Sequence, residues 1–213
     1  MKILIACEYS GTVRDAFAKK GHDVWSCDIL ASETPGNHIQ EDLAKVMDNQ
    51  KWDMIIGHPP CTYLTVTGNR WFYHPEDKDL PVEKRRPHPR FPNRRQDRED
   101  GFDFFMMIAN ANCEKICIEN PVGIMSTRWR KPDQIIQPFE FGHPHAKKTC
   151  LWLKGLQPLE STEIVEPEYV TYKSGKRMAK WYHDAASLPP HERMKIRSKT
   201  FQGIADAMAN QWG

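Results

Sequence analysis

Two side chains in this sequence have the type and the setting for covalent chemistry. Cys61 stands in the stretch Asp53-Met-Ile-Ile-Gly-His-Pro-Pro-Cys-Thr-Tyr-Leu-Thr-Val-Thr-Gly68, where an apolar run reading as a buried strand empties into a proline-rigid loop. Pro59 and Pro60 fix two successive φ angles and push the residues before them toward extended geometry, so the thiol is held at the strand's carboxyl end. A thiolate there is a candidate nucleophile, set where open α/β sheets bind ligands. Glu119 closes a second apolar run, Lys115-Ile-Cys-Ile118, and is followed by Asn120 and Pro121. A carboxyl group at a strand tip is a candidate general acid. Each residue has a plainer reading as well: cysteine is often a small buried hydrophobe, and an acid often ends a strand.

The elements that must carry these groups read in order. Residues 2–7 form a continuous apolar run, the mark of a strand buried on both faces, and Glu8-Tyr-Ser-Gly11 is a tight turn. A helix is expected from Thr12, with Val13, Ala16 and Phe17 on one face and Gly21 as its stop. Val24 to Asp28 gives a second strand ending on an acid, which completes a mononucleotide-type βαβ unit. A single glycine in the turn argues for a ligand without phosphates. Asp42 opens a short helix carrying Leu43, Val46 and Met47, and it reads equally as a helix-start acid or as a ligand contact. Residues 52–56 form the strand that delivers Cys61.

From 69 to 98 the composition changes to arginines and lysines among Trp71, Phe72, Tyr73, Phe91 and several prolines, with no regular period. Two readings stand here: a phosphate-contacting segment whose rings stack on bases, with Arg70 at its start, or a solvated insertion neutralised by its own acids. A helix is expected over 100–112 with Phe102, Phe105, Met106 and Ala109 inward, then a strand ending at Glu119. A Gly/Pro/His loop with Lys147 and Lys148 leads into a strand over 150–153. Residues 155–199 show no clear core and carry a second basic-aromatic patch, and 200–211 read as a helix burying Phe201, Ile204, Ala205 and Met208. The whole, 1–213, is expected to be one α/β domain with helices on both faces of its sheet.

Composition bounds the rest. With 213 residues, 39% of them hydrophobic, the chain can build one sizeable core with much polar loop around it. A net charge of +2 carries no argument for nucleic acid by itself; local clustering has to. The six cysteines lack the rhythm of a secreted scaffold, which leads us to expect a reducing cytoplasm. Cys113, Cys117, His143 and His145 do not have metal-ligand spacing, so no metal is expected. The amino terminus begins directly with a strand pattern and no apolar run approaches a membrane span.

In sequence and order together, these motifs resemble the C5-cytosine DNA methyltransferases over most of the chain. Ala6-Cys-Glu-Tyr-Ser-Gly11 is similar to the family's first cofactor loop, Asp28 to its ribose-binding acid and Glu41-Asp-Leu43 to its adenine-side acid. His58-Pro-Pro-Cys61 with the following Leu64 to Gly68 resembles the Pro-Cys loop, Glu119-Asn120-Pro121 the Glu-Asn-Val motif, and Phe201 to Met208 the last helix that returns to the cofactor. The resemblance implies a Rossmann-like S-adenosylmethionine-dependent sheet with a basic insertion at 69–98, a reduced recognition region at 155–199 and a small carboxy-terminal extension. It implies S-adenosylmethionine as cofactor, held by Glu8, Tyr9, Ser10, Gly11, Asp28, Ile29, Asp42 and Pro59. It implies duplex DNA with a flipped cytosine as partner, contacted by Asn120, Thr65, Arg70, Lys147 and Lys148. The sequence departs from the family in its first loop, which is poorer in glycine. It lacks the Gln-x-Arg-x-Arg motif, for which Lys147 and Lys148 are only loose substitutes because lysine has no planar fork.

The resemblance assigns Cys61 as the thiolate that adds to C6 of a pyrimidine, and Glu119, protonated through a raised pKa, as the donor to N3. His58 is read as structural. Two alternatives remain open: C5 modification of a free or differently presented pyrimidine, and a catalytically silent nucleic-acid-binding relative.

Overall fold

The computed structural model describes residues 1–213 and has an α/β architecture built on a seven-stranded sheet. In chain order the first half contributes β1 (Lys2–Ala6), α1 (Thr12–Ala18), β2 (Asp23–Asp28), β3 (His38–Gln40), α2 (Leu43–Val46) and β4 (Met54–Gly57). The second half adds α3 (Arg94–Ala109), β5 (Lys115–Pro121), α4 (Met125–Arg128), β6 (Gln134–Ile136) and β7 (Thr149–Lys154). A separate hairpin of β8 (Tyr169–Thr171) and β9 (Arg177–Ala179) follows, then α5 (Lys180–Ala186), α6 (Pro190–Ser198) and α7 (Gln202–Trp212).

The sheet order is β3-β2-β1-β4-β5-β7-β6, and only β7 runs against the rest. The chain builds outward from β1 through β2 to β3, then crosses back to place β4 on β1's other side. That reversal makes the carboxyl ends of β1 and β4 the topological switch point, the position at which open α/β sheets bind ligands. Register sharpens the point. Ala6 pairs with Gly57 and Gly57 with Ile118, so Cys7, His58 and Glu119 emerge at one level of the same edge.

Strand residues alternate between two cores, which is why the central runs are apolar without a break. Ile3, Ile5, Met54, Ile56 and Leu151 face α1 and α7, whose Val13, Phe17, Ile204, Met208 and Trp212 cover that side. Leu4, Ala6, Ile55, Ile116 and Ile118 face α2, α3 and α4 through Leu43, Val46, Phe105, Ile108 and Met125.

The basic insertion is ordered, and its own acids Glu76 and Asp77 pair with Arg86 as the second sequence reading expects. Short 3-10 turns at Val66–Trp71, Pro75–Asp77 and Val82–Lys84 lead into α3, which begins at Arg94 rather than near residue 100. The early start has a tertiary cause. Arg94, buried, lies over the rings of Tyr63, Phe72 and Phe91, and Arg98 stacks 3.6 Å from the Phe72 centroid. Trp71 packs edge-on against His88 and Phe91, while Arg85 and Arg95 lie over Tyr73. Asp77 is buried and its carboxyl is held down at about 2 by the side chain and backbone N–H of Arg86. Much of the basic-aromatic composition is spent within the segment itself.

Residues 155–199 bury little beyond Leu159 and Ala185. No helix is long and apolar enough to cross a membrane.

Candidate active site

The Cys61 loop is fixed from three sides. Its first residue, His58, donates its backbone N–H to Ala6 O at 2.9 Å, and the Cys61 carbonyl accepts from the N–H groups of Leu64 and Thr65. The Asn120 side-chain amide donates to Pro59 O at 2.8 Å, so Asn120 locks the loop to the tip of β5. On the far side Arg94 and Arg98 donate to the carbonyls of Thr62 and Tyr63. Packed against rings and bonded to these carbonyls, the two arginines act as struts of the cysteine loop. Gly123 closes the arrangement. A Cβ there would sit 2.1 Å from Leu64 O, and the Ile124 N–H donates to that carbonyl. Thr65, buried, bridges to Gly123 and shares a 2.9 Å hydrogen bond with the Thr67 hydroxyl.

Cys61 is half-buried, and burial and the Glu119 carboxylate push its thiol up while Lys147 pulls it back. Glu119 therefore lies within electrostatic reach of the sulfur. Its side chain is 12% exposed and its Oε2 is 3.1 Å from His58 Nδ1. The expectation of a raised Glu119 pKa is not met. Burial raises it, but the hydrogen bond to His58, the positive charge of Lys147 and the nearby Thr149 hydroxyl outweigh burial and hold the carboxyl below its ordinary value. Lys147 reaches this site because β7 runs antiparallel beside β5 and brings its leading loop back to the same edge. Its Nζ donates to Arg197 O at 3.2 Å, tying α6 to the site. Lys148 is exposed, as is Arg70, whose guanidinium lies 4.7 Å from the Trp71 centroid.

Next to this pair lies the β1 loop. Cys7 takes a left-handed backbone with φ 60°, the kind of strain that concentrates at ligand sites. Glu8 is buried and turned into the helix: its carboxylate accepts from Val13 N–H at 2.7 Å and Arg14 N–H at 3.1 Å, and from the Ser10 hydroxyl. A carboxylate of the chain itself thus already takes free N–H groups in the first turn of α1. Gly11 has φ 76°, and a Cβ there would meet Thr34 Oγ1 and Arg14. The Tyr9 hydroxyl pairs with Ser198 Oγ at 3.3 Å.

At the tip of β2, Asp28 is half-buried, with burial raising its carboxyl, and Oδ1 accepts from Leu30 N–H. Ile29 beside it is 73% exposed. Asp42 caps α2 by accepting from Ala44 N–H at 3.0 Å, the structural half of its two readings. Arg14 gave no signal in the sequence. It is 1% exposed and spans from α1 to the hydroxyls of Ser26, Ser32 and Thr34 and the carbonyl of Pro35, pinning the loop after β2.

The β1 loop and the tip of β2 form one donor set beside the cysteine loop. It combines a strained loop without a phosphate cradle, an acid at the second strand tip and a bare aliphatic side chain next to it.

Cys113 binds the carbonyls of Trp52 and Lys115, and no three His, Cys, Asp or Glu side chains gather as a metal site. A surface depression lined by Met1, Met47, Trp52, Cys113 and Lys115 among others lies at the amino ends of β1, β4 and β5, away from Cys61 and Glu119.

Fold and site together define an α/β protein with a mostly parallel seven-stranded sheet, a strand-order reversal at β1 and β4, and a cysteine loop and a carboxylate at the ends of neighbouring strands. No protein-family model and no curated protein matches the chain.

Proposed function

We propose that this chain is a Rossmann-like, S-adenosylmethionine-dependent methyltransferase acting on C5 of cytosine in DNA. The observation that carries the reading is the convergence of Cys61 and Glu119, from the ends of neighbouring strands, at the switch-point edge of the sheet. Asp28, Ile29 and Asp42, with the loop from Glu8 to Gly11 and Pro59, would hold the cofactor.

C5 of a pyrimidine is a poor nucleophile, and this pair corrects that. The Cys61 sulfur bonds to C6, the C5=C6 electron pair moves to C4=C5, and the displaced pair settles on N3, which takes a proton from Glu119. The ring is now an enamine with a nucleophilic C5. When bound, S-adenosylmethionine supplies the electrophilic sulfonium methyl. Loss of the C5 proton to water and departure of Cys61 restore the aromatic ring, and N3 returns its proton. A base inside a duplex has to be extruded first, a step for which Arg70, Lys147 and Lys148 would supply contacts to the strand.

Duplex DNA containing 5-fluorocytosine, incubated with the full-length protein and S-adenosylmethionine, tests this. Fluorine cannot leave as a proton does, so a covalent protein–DNA adduct should accumulate with wild type and be absent from Cys61→Ala. No adduct on any pyrimidine substrate, or an equal yield from the variant, overturns the mechanism. The internal pairing of rings and arginines over 69–98 favours one second reading, a pyrimidine presented outside a duplex. Nucleoside mass spectrometry of treated DNA, against treated free nucleotides, separates the two.

A further inference from the structure

Glu119 faces a contradiction. To neutralise N3 it has to donate a proton, yet its surroundings hold it as a carboxylate. Lys147 and the Thr149 hydroxyl approach from the β7 side, His58 from the β4 loop, and the thiols of Cys61, Cys117 and Cys150 lie around it. Of these groups, only His58 combines a hydrogen bond to Oε2 with a second ring nitrogen that can itself carry a proton.

Resting on the reading above, we propose that His58 is a positioning residue for Glu119 that holds the proton Glu119 presents to N3. Parallel register sets it there: Gly57 pairs with Ile118, so His58 emerges beside Glu119, and its backbone bond to Ala6 fixes where the ring starts. The side chain is 8% exposed. Nδ1 faces the carboxylate and so carries a proton; Nε2 is buried with no protein partner, which leaves it the ring's free acceptor. The unpaired nitrogen is costly in a purely structural histidine and useful in a proton store.

The proton count closes. One proton from the medium binds Nε2, and the imidazolium passes its Nδ1 proton to Oε2. Glu119 delivers that proton to N3 as the sulfur adds to C6. The pair is left as a carboxylate and a neutral ring protonated on Nε2. When Cys61 departs, N3 gives the proton back through Oε2 to Nδ1, Nε2 releases its proton to the medium and the pair resets, with no oxidant or reductant involved.

His58→Asn is the discriminating variant, because its amide can keep a hydrogen bond to Oε2 and cannot take up a proton. The rate of adduct formation on the 5-fluorocytosine duplex is measured across mildly acidic to mildly basic pH, with duplex affinity measured in parallel. We expect His58→Asn to bind duplex like wild type, to form adduct about a hundredfold more slowly at neutral pH, and to lose the rate at lower pH than wild type does. An unchanged pH profile and rate in His58→Asn, with wild type active, overturns the inference alone. An inactive wild type overturns the methyltransferase reading and the inference with it. A separate readout does not depend on activity: nitrogen NMR of labelled histidine should find the His58 proton on Nδ1 in wild type and redistributed in Glu119→Gln. A ring protonated only on Nε2 in wild type also sinks the proposal.

Discussion

Two opposed charges set how reactive Cys61 is before any substrate arrives. Burial and the negative Glu119 raise the thiol's pKa, and positive Lys147 lowers it. Since only the thiolate is alkylated, the free protein should react slowly with iodoacetamide at Cys61 near neutral pH. Removing the negative charge in Glu119→Gln lowers the thiol's pKa and should speed the reaction. Removing the positive charge in Lys147→Met raises it and should slow the reaction, with about a tenfold change in thiolate for each pH unit moved. Peptide mass spectrometry of the Cys61 fragment reads both. Equal rates in the two variants would show that neither charge reaches the sulfur. The sequence offered Cys61 and Glu119 as separate strand-end residues; nothing local indicated which charges would surround them.

At the scale of elements, the Cys61 loop is rigid because β5, the turn after it and the start of α3 all hold it. The tightest contact is backbone against backbone, with no room for a Cβ at Gly123 beside Leu64 O. Gly123→Ala should destabilise the protein by about 1–3 kcal/mol, as overpacking of a filled site generally does. Because the strain falls on the loop, adduct formation should drop further than stability does. Chemical denaturation and the fluorocytosine assay on the same preparation check this, and wild-type values in both would contradict the packing argument. The prolines announced a stiff loop in the sequence. Its supports at Arg94 and Arg98 were not legible, because an arginine stacked on a ring and an arginine waiting for a phosphate have the same composition.

Over the whole molecule, a net charge of +2 means that the proposed duplex binding has to rest on local cations that the protein's own rings and acids leave free, unlike Arg86, Arg95, Arg98 and Arg128. Arg70 is exposed and its guanidinium is joined only to Trp71. Arg70→Ala should weaken duplex binding and reduce the slope of log affinity against log salt by about 1. Fluorescence anisotropy at several salt concentrations measures it; an unchanged slope removes Arg70 from the interface. The same titration on wild type bears on the second reading, since a chain with no salt-dependent duplex affinity has no claim on duplex DNA.

Local pattern decided which segments became strands and helices, because continuous apolar runs and turn residues act on their own neighbours. It gave the βαβ opening, the strand that ends in the Pro-Cys loop, the strand that ends at Glu119 and the helix that closes the chain. Tertiary structure alone decided what those ends meet. Strand order put β4 between β1 and β5, register set His58 level with Glu119, and the antiparallel turn of β7 carried Lys147 back to the same edge. Each is a pairing between residues far apart in the chain, fixed by which buried faces fit together, and no window of sequence contains that information.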